Sequence, residues 1–118
     1  MTIRPLTMED LAQWWPDVVV PHTVRGFVAQ LGDRIMGVAF LMYQPNVVAA
    51  YAEMVPEGQQ YPLSIMRMVK KMKALMATVN APIFTLADEA YPNSRAFLEH
   101  VGFEHVNGRQ YVFRKAGG

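Results

Sequence analysis

The chain has no cysteine. Disulfides, thiol nucleophiles and thiolate metal sites are therefore excluded together, and nothing suggests a secreted, crosslinked scaffold. It also lacks an excess of either charge. Eleven Lys and Arg face ten Asp and Glu, a formal net charge of +1, so there is no global electrostatic case for nucleic acid or an acidic membrane. No apolar run approaches the ~20 residues needed to cross a bilayer. The first residues show no basic region followed by an apolar core and a small-residue cleavage site. The expectation is a soluble, unprocessed, cytoplasmic protein. His22, His100 and His105 have no ligand-like spacing, which with the missing thiols argues against a metal site.

What is present is apolar: 52% of the 118 residues are hydrophobic, enough for one core and too short a chain for two, so residues 1–118 are read as a single domain. A first strand is expected at 3–6, with Pro5 favouring an edge or a strand end. Thr7 and Asp10 have capping-box spacing ahead of a short helix at 8–15. Pro16 and Pro21 bracket an irregular stretch. Residues 26–31 and 34–43, rich in Val, Phe, Ile and Met, read as an antiparallel hairpin across Gly32-Asp33. Another strand is expected at 47–55 and a loop at 56–62. Ile65, Val69, Met72, Met76 and Val79 then recur at spacings of four and three, which marks an amphipathic helix. A strand at 83–87, a helix at 94–101 and a hairpin of 104–106 with 109–114 pivoting on Asn107-Gly108 complete the chain. The sum is an α+β fold, a mixed, mostly antiparallel sheet with helices packed on its faces.

Two stretches carry a resemblance. Asn93 opens a helix whose end reads Phe97-Leu98-Glu99-His100-Val101-Gly102-Phe103, and residues 27–39 form the central hairpin. Both are similar to the GNAT-type N-acetyltransferases. The resemblance implies a GNAT-like sheet with acetyl-CoA in a V-shaped opening beside the fourth strand, here Tyr51-Ala52-Glu53-Met54-Val55. Cofactor contacts carried over are Met54 and Val55, then Gln59, Gln60, Leu63 and Ser64 of the following loop and helix start, and Asn93. Glu53 is the implied base, and the strand N–H near Met54 would polarise the thioester carbonyl. The chain also departs from the family. The loop positions where glycines turn backbone N–H groups toward the diphosphate are lost in Gln59-Gln60-Tyr61-Pro62-Leu63-Ser64, and Pro62 deletes a donor. The family's acidic tyrosine is replaced by Leu98, with Tyr91 as the nearby substitute.

The same residues have plainer readings. Glu53 is either a base or a solvent-facing strand residue, and Asn93 either a cofactor contact or a helix cap. Lys70, Lys71 and Lys73 with Arg67 form a solvated helix face or meet a phosphate or acidic partner. Trp14 and Trp15 line an acceptor pocket or an interface, or they anchor the first helix to the core. Two functions follow. One is transfer of an acetyl group from acetyl-CoA to an amine of a small molecule or protein. The other is a catalytically inactive GNAT-fold protein, similar to phage-coded members, whose partner is a second copy or a virion protein.

Overall fold

The computed structural model describes residues 1–88 and 94–114. Strand β1 (Thr2–Pro5) leads into helix α1 (Met8–Trp14), followed by strands β2 (Thr23–Leu31), β3 (Arg34–Tyr43) and β4 (Val48–Met54). A 3-10 turn (Pro56–Gln60) precedes helix α2 (Pro62–Met76), strand β5 (Ile83–Leu86), helix α3 (Ser94–Val101) and the closing strands β6 (Glu104–Asn107) and β7 (Gln110–Phe113). This is the expected order. All seven strands form one sheet in the order β1-β2-β3-β4-β5-β7-β6, antiparallel except where β4 meets β5.

The differences from the sequence reading lie at element ends. β2 begins at Thr23 rather than at 26, because Thr23, Val24 and Arg25 find partners in Tyr43, Met42 and Leu41 of β3. The loop at 56–62 contains the 3-10 turn, with Gly58 N–H closing on the Val55 carbonyl at 2.9 Å. α2 ends at Met76, and Val79 completes the apolar stripe from just beyond the helix. α3 ends at Gly102 (φ 116°), whose positive φ suits a residue without a Cβ. The Phe103 N–H there returns to the Leu98 carbonyl at 2.9 Å. Gly108 (φ 53°) fills the turn between β6 and β7 as its Asn-Gly pair predicts.

Period-two alternation in β3 divides the core between the two faces of the sheet. Ala39 and Leu41 point to one side, where Met72, Met76 and Val79 of the α2 region and Val101 and Phe103 around the end of α3 bury them. Val38, Phe40 and Met42 point to the other, under Leu11 of α1 with Trp14, Trp15 and Tyr51 packed against them. Phe40 and Leu41, neighbours in sequence and on opposite faces, both have no exposed surface.

Candidate functional site

β4 and β5 run parallel but pair only at Val48 with Ile83 and Ala49 with Phe84. The next ladder position is taken by a side chain: the Thr85 hydroxyl donates to the Ala50 carbonyl at 2.8 Å. Beyond it β4 continues to Met54, paired with β3 on one side only. Backbone direction alternates along a strand. The Ala50 carbonyl points toward β5 and the Val55 N–H points back to Met36 of β3 at 2.9 Å. The N–H and C=O groups of Ala52 and Met54 therefore face the gap. Hydrogen-bonding groups left open on an internal strand form a slot suited to an extended, amide-bearing ligand arm.

Glu53 projects from this strand on the α1 side of the sheet, two residues from Tyr51. Its Oε1 accepts from both indoles, Trp15 Nε1 at 2.8 Å and Trp14 Nε1 at 3.1 Å. Among the described residues Oε2 has no partner, and the side chain is solvent-exposed. Trp15 is fixed edge-on to Phe40 and Tyr51, with ring centroids 5.4 and 5.8 Å away. The carboxylate is thus held at one oxygen and presented at the other. The sequence reading named all three residues without connecting them. No local signal could, since 38 and 39 positions separate the tryptophans from Glu53.

α1 is held in turn by an ion pair between a half-buried Arg4 and a buried Asp10. Both Arg4 guanidinium nitrogens Nη1 and Nη2 donate to the Asp10 carboxylate at 2.7 Å, and Thr7 adds its N–H and hydroxyl at 2.8 Å. The Asp10 N–H returns to Thr7 Oγ1 at 3.2 Å, completing the capping box. Arg4's hydrogen bonds, against the opposing effect of burial and aided by Thr7, hold the Asp10 carboxyl well below the usual carboxylate range.

On the opposite face, α2 starts just after the 3-10 turn that follows β4. Pro62 has no N–H, and those of Ser64 and Ile65 both close on the Tyr61 carbonyl at 3.1 Å. Leu63 supplies the one first-turn N–H, among the described residues, that is not turned back on the chain. Ser64 is buried and its Oγ accepts from Arg67 at 3.3 Å, whereas Leu63, Gln59 and Gln60 are exposed. Met54 and Val55 are half-buried at the end of β4. Tyr91 and Asn93 lie outside the described residues. The slot accordingly offers backbone partners to an extended, amide-bearing arm, and the helix start does not provide the backbone cradle that a diphosphate needs.

An open groove of about 550 Å³ lies between α2 and α3. Pro62, Ile65, Met66, Val69, Lys70 and Lys73 form its α2 wall, one helical stripe at alternating spacings of three and one. Phe97 and His100 face them from α3.

No protein-family model matches the sequence, and no curated protein matches it. Among solved structures the chain is similar to smu.2055 from Streptococcus mutans, at 14% identity and a TM-score of 0.63 over 95% of this chain and 94% of that one. It is similar to the ribosomal-protein-S18-alanine N-acetyltransferase from Escherichia coli, at 12% identity and a TM-score of 0.65 over 94% and 90%. An acetyltransferase from Agrobacterium tumefaciens also matches, at 13% identity and a TM-score of 0.55 over 92% and 68%. The chain has the fold of the GNAT acetyltransferases.

Proposed function

We propose that this GNAT-fold chain transfers an acetyl group from acetyl-CoA to an amine. The observation that supports the reading is the slot between β4 and β5, into which the amides of Ala52 and Met54 open while Glu53 stands on the α1 side with one carboxylate oxygen held by two indoles. When bound, acetyl-CoA supplies an acetyl carbon activated by its thioester. Ala52 and Met54 would hold the pantetheine arm as an added strand, and a slot amide near Met54 would donate to the thioester carbonyl. Glu53 Oε2 would take the proton the amine gives up as its nitrogen bonds to that carbon, directly or through water. Tyr91 is proposed to return a proton to the departing thiolate, and Asn93 to contact the donor. The acceptor is an amine on a small molecule or a protein, and the proposed setting is the cytoplasm.

Thiol release from acetyl-CoA across a panel of primary amines tests the reading, with Glu53→Gln as the comparison. Glutamine keeps an oxygen for the two indole N–H groups and removes the base. The expected result is turnover with at least one amine and a kcat lowered about 100-fold by the substitution. Absence of thiol release with every amine at millimolar acetyl-CoA overturns the proposal.

A further inference from the structure

The α1 side of the sheet is covered unevenly. Leu11, Trp14 and Trp15 pack over Val38, Phe40 and Met42 of β3, and this cluster takes in nothing from β5, β6 or β7. Paired residues of a sheet share a face. Because Phe84 stands beside Ala49, the register puts Phe84 and Leu86 of β5 on the same face as Tyr51 and Glu53 of β4. Phe84 and Leu86 are 38% and 58% exposed, and their β7 partners, Val112 and Gln110, carry no charge. Glu53 is the one charged residue of β4 and β5 together, and it makes no ion pair among the described residues. The cations of the neighbouring strands are engaged or turned away. Arg34 of β3 pairs with Glu57 at 3.7 Å and Arg4 of β1 with Asp10 at 2.7 Å, while Arg25 of β2 lies opposite Leu41 and so faces α2. A free carboxylate oxygen thus ends an apolar strip. Continuing the register sets Leu86 level with Tyr51, so with alternate residues about 6.6 Å apart and strands about 4.8 Å apart, Leu86 and Glu53 are separated by at least about 8 Å.

We infer that this strip binds the acceptor and selects a primary monoamine on an apolar, uncharged body: the ammonium meets Glu53 Oε2 beside Trp14, Trp15 and Tyr51, and the body lies along Leu86 and Phe84. The inference rests on the acetyl-transfer reading for the fate of the amine and names the acceptor class for that same site. Each part of the selection has its own cause. An unpaired carboxylate ringed by aromatic side chains favours a cation. With both indole N–H groups on Oε1, Oε2 is the oxygen left to receive it. A second ammonium at the far end of the ligand loses water against Leu86 and Phe84 and finds no partner there. An amino acid sets its own carboxylate beside Glu53 with no free cation between them, and the two repel.

Trp14 and Trp15 are the only tryptophans of the chain and both bond Glu53, so their fluorescence reads occupancy of the site without catalysis. The whole chain is titrated with 2-phenylethylamine, hexylamine, phenylalanine and 1,4-diaminobutane, followed by fluorescence and by calorimetry. The two apolar monoamines are expected to bind saturably and about tenfold more tightly than the amino acid or the diamine. Glu53→Gln, which keeps an oxygen for the indoles, should weaken the monoamines about tenfold. Leu86→Glu alters an exposed side chain, so an unchanged melting temperature is expected; its second carboxylate at the far end of the strip should turn the preference toward the diamine. Equal affinity for all four ligands, or a preference of the unaltered chain for the amino acid or the diamine, overturns the inference, and thiol release from acetyl-CoA with those amines leaves the acetyltransferase reading standing. Monoamine binding weakened by both substitutions, in a protein that releases no thiol with any amine, supports the site and overturns the reading. If neither monoamine binds at millimolar concentration by either readout, the site does not exist.

Discussion

Asp10 shows how much one side chain can organise. It is 7% exposed and accepts from Arg4, from the Thr7 N–H and from the Thr7 hydroxyl, so a single carboxylate joins β1 to α1 and caps the helix. Its pKa is depressed in the folded state, so its contribution to stability is complete above the unfolded value near 4 and disappears as pH falls toward the lower folded value. Asp10→Asn should destabilise the protein by about 2 kcal/mol at neutral pH. In urea unfolding between pH 2 and 7, the gap between wild type and variant should shrink below pH 4; a gap constant across that range would show that the charge of Asp10 is not what matters. The capping spacing of Thr7 and Asp10 was legible in the sequence. Arg4 as third member was not, because the pairing depends on the crossing of β1 and α1.

At the scale of elements, α2 serves both faces of its own cylinder. Met72 and Met76 point into the sheet, 7% and 1% exposed, while the stripe from Pro62 to Lys73 lines the groove. Met76→Ala should cost about 3 kcal/mol by leaving a cavity against Ile83 and Leu41 that the close-packed sheet cannot refill. Equilibrium denaturation measures this directly, and a loss under 1 kcal/mol would mean that the end of α2 is loosely packed. The four-and-three spacing of Ile65, Val69, Met72, Met76 and Val79 identified the core stripe from sequence. The groove stripe had no such signal, since its cations and methionines acquire meaning only opposite Phe97 and His100.

For the whole molecule, the weak point is the β4–β5 junction, where two residue pairs and the Thr85 hydroxyl join the four strands β1 to β4 to the three strands β5 to β7. Cooperativity is nonetheless expected, because the cluster holding Ala39, Leu41 and Val48 from β3 and β4 also holds Ile83 and Tyr111 from β5 and β7. Trp14 and Trp15 report the opposite face by fluorescence, so their transition in urea should coincide with that of far-UV circular dichroism. Two separated midpoints would show that the slot divides the chain into independently unfolding parts. The sequence by itself determined the elements and their order, because apolar periodicity, Asn107-Gly108 and the Thr7–Asp10 spacing act over a few residues; the GNAT-like plan came from the resemblance carried by residues 27–39 and 93–103. It also showed that the loop before α2 carries Pro62 and lacks the glycines that the resemblance leads one to expect there. Only the tertiary structure decided that β4 parts from β5 after Ala49, that both indoles converge on one oxygen of Glu53, and that Lys70 and Lys73 face an aromatic groove. Those facts depend on strands and helices far apart in the chain, and their geometry is fixed only when both faces of the sheet are packed.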